Sequence, residues 1–471
     1  MRKEKMNTAF DGNRSYEYLR ELTVGIGPRL GGSREEVKAA RYVKRMFGKF
    51  GLKSSLFPFR IHTFDKTSAS LSFSGLGAVK CLPVPCCAST PKRGVTAPMV
   101  YVEAGNEACL DESMKGKIIF TPTTFGGKHY ETMVKIKPAG VVVACGKSFV
   151  GPFRQKLHPE IKRKYGSVPM IYVSNEEGRR ILKKRPSKCT MMVATSGEKM
   201  ATSYDPIGEL KGSEFPDEVI VIGGHLDSVW GSQGSQDNAA GMAVVMELAR
   251  VFARKGSKRT LRFMGFAGEE QGLRGSKAYV KKLKEKDDKL KKNKDFVQDG
   301  IKTELDKIVF MVNVDVQGAL LGTNTAVSFG HPDIAASARL LSAETGRPFS
   351  VQENNVYSSD NAPFGKAGVP SLSFSRWDSS TGVFGHTDSD IIDHCDPEAL
   401  EKAGSFIAEW MTRYITEAPT MPFPRKISGS EMEKVDKYFG GQDIFKYEPT
   451  FSSKKYRAKK SSVKKRRKKK R

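Results

Sequence analysis

The stretch Val219-Ile-Val-Ile-Gly-Gly-His-Leu-Asp227 decides how this chain is read. Four β-branched residues in a row suit a strand covered on both faces. A half-exposed strand would alternate apolar with polar residues. Two glycines end the run, and a histidine and an aspartate follow at once. The same order recurs downstream: Leu261–Ala267 leads to Glu269 and Glu270, and Ile308–Val314 leads to Asp315. Helical spacing separates the runs. Apolar residues at 244, 245, 248, 251 and 252 predict a helix over Ala239–Ala253. Leu400, Phe406, Ile407, Trp410, Met411 and Tyr414 predict another after the strand-like Ser371–Ser375. Strands alternating with helices predict an α/β fold, a mixed, largely parallel sheet flanked by helices.

Open sheets of this class bind ligands outside the carboxyl ends of their strands. His225, Asp227, Glu269, Glu270 and Asp315 stand at three such ends, and His386 lies in a loop after Ser371–Ser375. These side chains are expected to meet. Two imidazoles with several carboxylates suit zinc, manganese or cobalt rather than iron–sulfur chemistry. Asp237 stands at the start of Ala239–Ala253, where helix amides favour a negative charge. Singly, each residue has an ordinary reading. His225 reads as a satisfied polar side chain, Asp237-Asn238 as a helix cap, and Glu269-Glu270 as a surface acidic pair. Asp315 resists one, because a charge ending a buried strand needs a partner. The spacing of the set favours a metal centre.

The rest of the chain is read around this core. Residues 15–50 are helical with a break at Gly25-Ile-Gly-Pro-Arg-Leu-Gly-Gly-Ser33. Leu30 replaces the third glycine of a dinucleotide loop, so the break reads as a structural turn. The segment 70–195 holds six of the seven cysteines and several short strand-like runs, which predicts a compact β-rich insert. The boundaries expected are 1–69 and 196–418 for the catalytic part, 70–195 for the insert, 419–453 for a C-terminal extension of weak pattern, and 454–471 for a disordered basic tail.

At 38% apolar and 28% charged residues, a wholly disordered chain is excluded. No apolar run approaches the length of a membrane span. The net charge is +27, but residues 454–471 carry 13 Lys and Arg and no acid, which leaves +14 for the first 453 residues. That tail would contact a polyanion such as RNA or anionic lipid, or act as a solubilising end. Its one aromatic residue, Tyr456, gives no platform for stacking bases. The cysteines form no C-x-x-C pair and no apolar leader is readable, so reduced thiols and a cytoplasmic location are expected. G-x-S-x-G, G-x-x-x-x-G-K-[ST] and H-E-x-x-H are absent, which removes three other catalytic classes. The sequence carries no signal of oligomeric state.

One resemblance draws these residues together. It runs through His225-Leu-Asp-Ser228, Gln236-Asp-Asn-Ala-Ala-Gly241, Phe266-Ala-Gly-Glu-Glu-Gln-Gly-Leu-Arg-Gly-Ser276, Asn313-Val-Asp315, Ser359-Asp-Asn-Ala-Pro-Phe364 and Gly385-His-Thr387. In this order they resemble the co-catalytic zinc aminopeptidases, a family that includes bacterial leucyl aminopeptidases and plasma glutamate carboxypeptidase. The likeness covers about residues 15–415. Gly27-Pro-Arg-Leu-Gly-Gly-Ser33 resembles the family's N-terminal motif, and the insert resembles its protease-associated (PA) domain.

The resemblance implies two zinc ions per chain, with cobalt or manganese as substitutes. Asp237 would bridge them, His225 and Asp315 would complete one ion's shell, and Glu270 and His386 the other's. Glu269 would be the general base for a water between the ions. Asp227 would orient His225. A cis peptide is implied at Asp237–Asn238. The chain departs from the family at Gln236, where Asp is usual, and at Asn361, where many members have His. Tyr357 lies near, but not at, the offset of an oxyanion-stabilising Tyr.

The leading expectation is a metallo-exopeptidase that removes residues from peptides with a free N-terminus. One alternative is a dipeptidase or carboxypeptidase with the same metals, in which Arg376 receives a substrate carboxylate. Another is an inactive scaffold that binds peptides or polyanions. The complete ligand set argues against the single-zinc glutaminyl cyclases.

Overall fold

The computed structural model describes residues 9–445, apart from 66, 105–106, 125–126, 147–149, 197, 293–300, 378–383 and 442. The expected basic tail lies outside the described residues. Strand β1 (Lys53–Phe64) belongs to a first sheet. The chain then builds β2 (Thr67–Phe73), β3 (Gly77–Val79), β4 (Leu82–Pro83), β5 (Val95–Tyr101), β6 (Ile118–Thr121), β7 (Gly140–Ala144), β8 (Met170–Val173) and β9 (Lys188–Thr195). It returns to the first sheet with β10 (Glu198–Leu210), β11 (Phe215–His225), β12 (Arg259–Phe266), β13 (Ile308–Val314), β14 (Thr323–Phe329), β15 (Ser350–Gln352) and β16 (Ser371–Trp377).

The first sheet runs β1-β10-β12-β11-β13-β16-β14-β15. Its four central strands, β12, β11, β13 and β16, are parallel. Strand β11 shows why its continuous apolar run was needed. Ile220 and Ile222 enter the core on one face, and Val219 and Val221 enter the core on the other. On the first face the helix Ala240–Lys255 is buried from Ala240 to Phe252. Gly12–Arg20, Arg34–Lys49 and Pro397–Met411 share that core. The helices Arg274–Leu290 and Asn361–Lys366 cover the opposite face.

Register sets the site. His225 pairs with Phe266 and Gly223 with Asn313. Stepping two residues on, Asp315 comes level with His225, so three strand ends reach one edge. Gly224 is required there, because a Cβ on it would lie 2.4 Å from the Val314 carbonyl oxygen.

The second sheet runs β3-β2-β9-β5-β6-β7-β8-β4 and has its own apolar core. Strands β5 to β8 are parallel. Three helices, Gly127–Ile136, Pro159–Tyr165 and Asn175–Lys184, lie within this segment. It is therefore more mixed than the β-rich insert expected, because parallel neighbours need crossover connections. The helix Gly429–Tyr438 also falls where weak pattern was expected. A capping box, Ser428 with Glu431, starts it, and Val435 and Phe439 bury its inner face. None of the seven cysteines forms a disulfide. No described helix is long and apolar enough to cross a membrane.

Trp410 closes the core of the first face. It is fully buried, donates from Nε1 to Ser337 Oγ at 2.9 Å and stacks on Phe423. Trp410→Ala is expected to cost about 3–5 kcal/mol. Urea unfolding followed by circular dichroism checks this, and a loss below about 1 kcal/mol, a typical modest mutation, would contradict it.

Candidate active site

The structure brings the seven predicted residues together at the carboxyl edge of β11, β12 and β13. The His225 imidazole, 1% exposed, points Nε2 at Asp237 Oδ1 (2.9 Å) and Asp315 Oδ1 (3.3 Å). The His386 Nε2 faces Asp237 Oδ2 (3.4 Å) and Glu270 Oε2 (3.0 Å). Asp237 thus offers one oxygen to each histidine. Two ligand groups, His225 with Asp315 and His386 with Glu270, share it as their common member. His225, Asp237 and Glu270 have ligand atoms all within 4.8 Å of one another.

The chemistry of this set fits metal ions. Among the described residues, the buried oxygens Glu270 Oε1 and Asp315 Oδ1 accept no hydrogen bond. Buried charged oxygens without donors are costly unless a cation satisfies them. The geometry matches two adjoining cation positions, one on each side of Asp237.

Backbone contacts place the ligands. The Asp237–Asn238 peptide bond is cis. Asn238 donates from Nδ2 to the Val314 carbonyl (2.9 Å), and its Oδ1 accepts from Gly241 N (3.0 Å) and Val316 N (3.1 Å). It stitches the turn bearing Asp237 to the end of β13 bearing Asp315, which is more than the helix cap expected from the sequence. Val316 is held at φ 61°. A β-branched residue adopts that left-handed conformation only where neighbours impose it. The N–H of Val316 meets Asn238, and its carbonyl accepts from Arg376 N at 2.8 Å.

Asp227 proves to be a shared anchor. Its Oδ1 accepts from Glu269 N (2.9 Å) and its Oδ2 from Glu270 N (3.3 Å). The His225 Nδ1 lies 3.2 Å from the Asp227 backbone carbonyl and 3.6 Å from its carboxylate. The carboxylate therefore fixes the strand end that presents Glu269 and Glu270. The imidazole is steadied more by the carbonyl than by the carboxylate expected to orient it.

Two further residues matter that sequence reasoning did not single out. Asp390 accepts from Gln236 N (2.8 Å) and Asp237 N (3.2 Å). Burial pushes its carboxyl up to about 7. Arg29, fully buried, donates to the carbonyls of Leu226 (2.9 Å), Leu22 (3.0 Å), Gly27 (3.0 Å), Gln233 (2.8 Å) and Gly234 (3.1 Å). Burial holds its guanidinium down to about 10, against the pull of Asp227 and Asp390. It ties the loops after His225 and before Asp237 to the Gly25–Ser33 break, which is the structural turn expected. The motif Gly27-Pro-Arg-Leu-Gly-Gly-Ser33 was the available signal for Arg29. Nothing in sequence marks Asp390 among its acidic neighbours.

The remaining residues divide clearly. Gln236 donates its side-chain amide to the His394 carbonyl at 3.0 Å, a structural use that accounts for the departure from Asp. The Glu269 carboxyl is raised well above the usual range by burial and by Glu270, Asp360 and Asp315, with His225 opposing. The Tyr357 hydroxyl donates to the Asp315 carbonyl at 3.3 Å. Asn361 is buried at the start of Asn361–Lys366. Arg376 donates to the carbonyls of Ala319 (2.6 Å) and Leu320 (3.2 Å) and to Asn324 Oδ1 (2.9 Å). It is a structural residue, committed away from the site.

Fold and site together fit a metallopeptidase whose cation ligands would include His225, Asp237 and Glu270. Residues 206–411 match the model of Peptidase family M28. The chain is 27% identical over 409 residues to Aminopeptidase YwaD of Bacillus subtilis (strain 168), with 84% of each chain covered. It is 28% identical over 288 residues to Carboxypeptidase Q of Mus musculus, covering 57% of this chain and 61% of that relative. Among solved structures, BSAP, a zinc aminopeptidase from Bacillus subtilis, matches with a TM-score of 0.69 at 23% identity, over 90% of this chain and 100% of that one. A Peptidase M28 precursor from Shewanella amazonensis SB2B matches at 0.71 and 20% identity, over 88% and 95%. All seven predicted site residues fall within 206–411, the part of the chain that resembles Peptidase family M28.

Asp390→Asn would set an amide donor against a backbone donor at Asp237. Peptidase turnover is expected to fall about 10–100-fold while far-UV circular dichroism is unchanged. Parent-level turnover would show that Asp237 keeps its place without Asp390.

Proposed function

We propose that this protein is an aminopeptidase with two zinc-class ions per chain. His225 and Asp315 would hold one ion, Glu270 and His386 would hold the other, and Asp237 would serve both. The observation that carries this reading is the Asp237 carboxylate, whose two oxygens face two different histidines at 2.9 and 3.4 Å. When bound, the ions polarise the scissile carbonyl and acidify the attacking water. Glu269 takes the proton of that water as its oxygen bonds to the carbonyl carbon. Glu269 then delivers the proton to the amide nitrogen, so the C–N bond breaks to a free amine and a carboxylic acid, which loses its remaining proton to solvent. Asp227 fixes the Glu269 backbone, which keeps the carboxyl aimed at the reacting centre.

Two observations favour the amino end over the carboxyl end. The match to Aminopeptidase YwaD extends over 84% of both chains, whereas that to Carboxypeptidase Q covers 57% of this one. The cation considered for a substrate carboxylate, Arg376, is already occupied by protein acceptors. The inactive-scaffold alternative is disfavoured because every ligand and the base are in place.

The segment 70–195 is read as a PA-like insert placed over the site. In support, Arg154, Lys156 and His158 line one cleft with Glu270 and His386. That cleft shares Leu30, Phe64 and Trp230 with a wider cavity between the two sheets. The wider cavity gives room for the remainder of a peptide.

Glu269→Gln is expected to keep both ions by elemental analysis and to lose about 10²–10⁴-fold in turnover. Near-parent turnover would place the base elsewhere. Peptides with a free N-terminus should be cleaved and their N-acetylated forms left intact, with a chelator abolishing both activity and the difference. Release of C-terminal residues from the acetylated peptides would overturn the aminopeptidase reading. The tail 454–471 is proposed to hold polyanions. Truncation after Phe451 should leave peptidase activity intact and abolish salt-sensitive heparin binding, while unchanged binding would remove that role.

A further inference from the structure

Residues 151–158 leave the second sheet and cross to the loop that carries His386. The Arg154 N–H donates to the His386 carbonyl at 2.8 Å. The Phe153 ring lies 5.0 Å from the imidazole, with the planes 31° apart. The Arg154 guanidinium is buried and held on two sides. It pairs with Asp388 Oδ2 at 3.0 Å, and it lies 5.0 Å over the Trp230 ring while donating to the Trp230 carbonyl at 3.4 Å. The approach is close enough to exclude a side chain at two points. A Cβ on Gly151 would lie 2.5 Å from Asp388 Oδ1, and one on Gly231 would lie 2.6 Å from Arg154 Nη1.

The ligand these contacts touch needs outside support. His386 sits at φ 58°, a left-handed conformation that a non-glycine residue keeps only when its surroundings fix it. Bonds within its own loop are short-range: Thr387 N and Thr387 Oγ1 both donate to the Phe384 carbonyl. The long-range backbone bond on His386 comes from Arg154. By contrast, His225 ends a central strand and Asp315 follows another, so the first sheet itself places that half of the site.

We propose that Arg154 is a positioning residue for His386, and that docking of residues 151–158 is thermodynamically coupled to the ion held by Glu270 and His386. The ion held by His225 and Asp315 is not coupled to it. This rests on the two-ion reading above. Coupling of this kind is reciprocal: a docked segment tightens the ion, and the ion tightens docking by the same factor. Groups that orient a metal ligand change affinity about 10–100-fold.

The test titrates the full-length, metal-stripped chain with Zn²⁺ in a calorimeter against a competing chelator. Parent, Arg154→Ala and Asp388→Asn are compared. Asp388 has a side chain 41% exposed, so its amide variant keeps the fold even where Arg154→Ala fails to. The expected result is two ions in the parent. Each variant should keep one ion at parent affinity and bind the other about 10–100-fold more weakly. Hydrogen exchange supplies the reciprocal readout. Amides of 151–158 should slow when the parent is loaded with Zn²⁺, and slow less in Asp388→Asn. Two unchanged affinities in both variants would overturn the proposal while leaving the two-ion site intact. Fewer than two ions in the parent would instead overturn the reading of the site on which it rests.

Discussion

Seven carboxylates, Asp227, Asp237, Glu269, Glu270, Asp315, Asp360 and Asp390, converge at one edge of a sheet, and their mutual repulsion is the constraint that the surrounding structure answers. Several of them are held by specific donors rather than by solvent. Asp227 takes two backbone amides of the Glu269-Glu270 turn. Asp390 takes those of Gln236 and Asp237. Asp360 accepts Ser276 Oγ at 2.5 Å, and burial raises its carboxyl to about 7. Arg29 brings a buried positive charge to Asp227 and Asp390. What these donors leave unsatisfied lies in the proposed ligand set, at Glu270 Oε1 and Asp315 Oδ1, where bound cations would offset the charge.

The N-terminal break, the central strands and the insert then become parts of one arrangement. Strands β11, β12 and β13 supply the edge, because their parallel register brings residues after 225, 266 and 314 to the same level. The break at Gly25–Ser33 supplies Arg29, which holds both ends of the loop between His225 and the turn bearing Asp237. Residues 151–158 supply the contact on His386, the ligand placed by a loop rather than a strand. The site is thus rigid where it is built on the sheet, and dependent on a neighbour where it is not.

Much of this was legible in the sequence, for identifiable reasons. Buried parallel strands are continuous apolar runs, so β11 and β13 could be read directly, and the chemistry sat immediately after them. Asp390, Asn238 and the packing of Arg29 could not be read, because each acts through partners far away in the chain. Asp390 reaches back 154 positions to Gln236, and Asn238 reaches forward 76 to Val314. Arg376 misled for the same reason, since its acceptors at 319, 320 and 324 became visible only when β14 and β16 paired. The helix Gly429–Tyr438 was a different case. Its capping box, Ser428-x-x-Glu431, stood in the sequence, but the short apolar face behind it gave little periodicity to read.

In the two-ion reading, Asp237 lies between two cations rather than beside one. Anomalous diffraction at the zinc absorption edge, from crystals of the full-length protein grown with Zn²⁺, tests it most directly. Two peaks of comparable height are expected, one beside His225 and Asp315 and one beside Glu270 and His386, with Asp237 between them. A single peak, or a second peak away from Asp237, would contradict it.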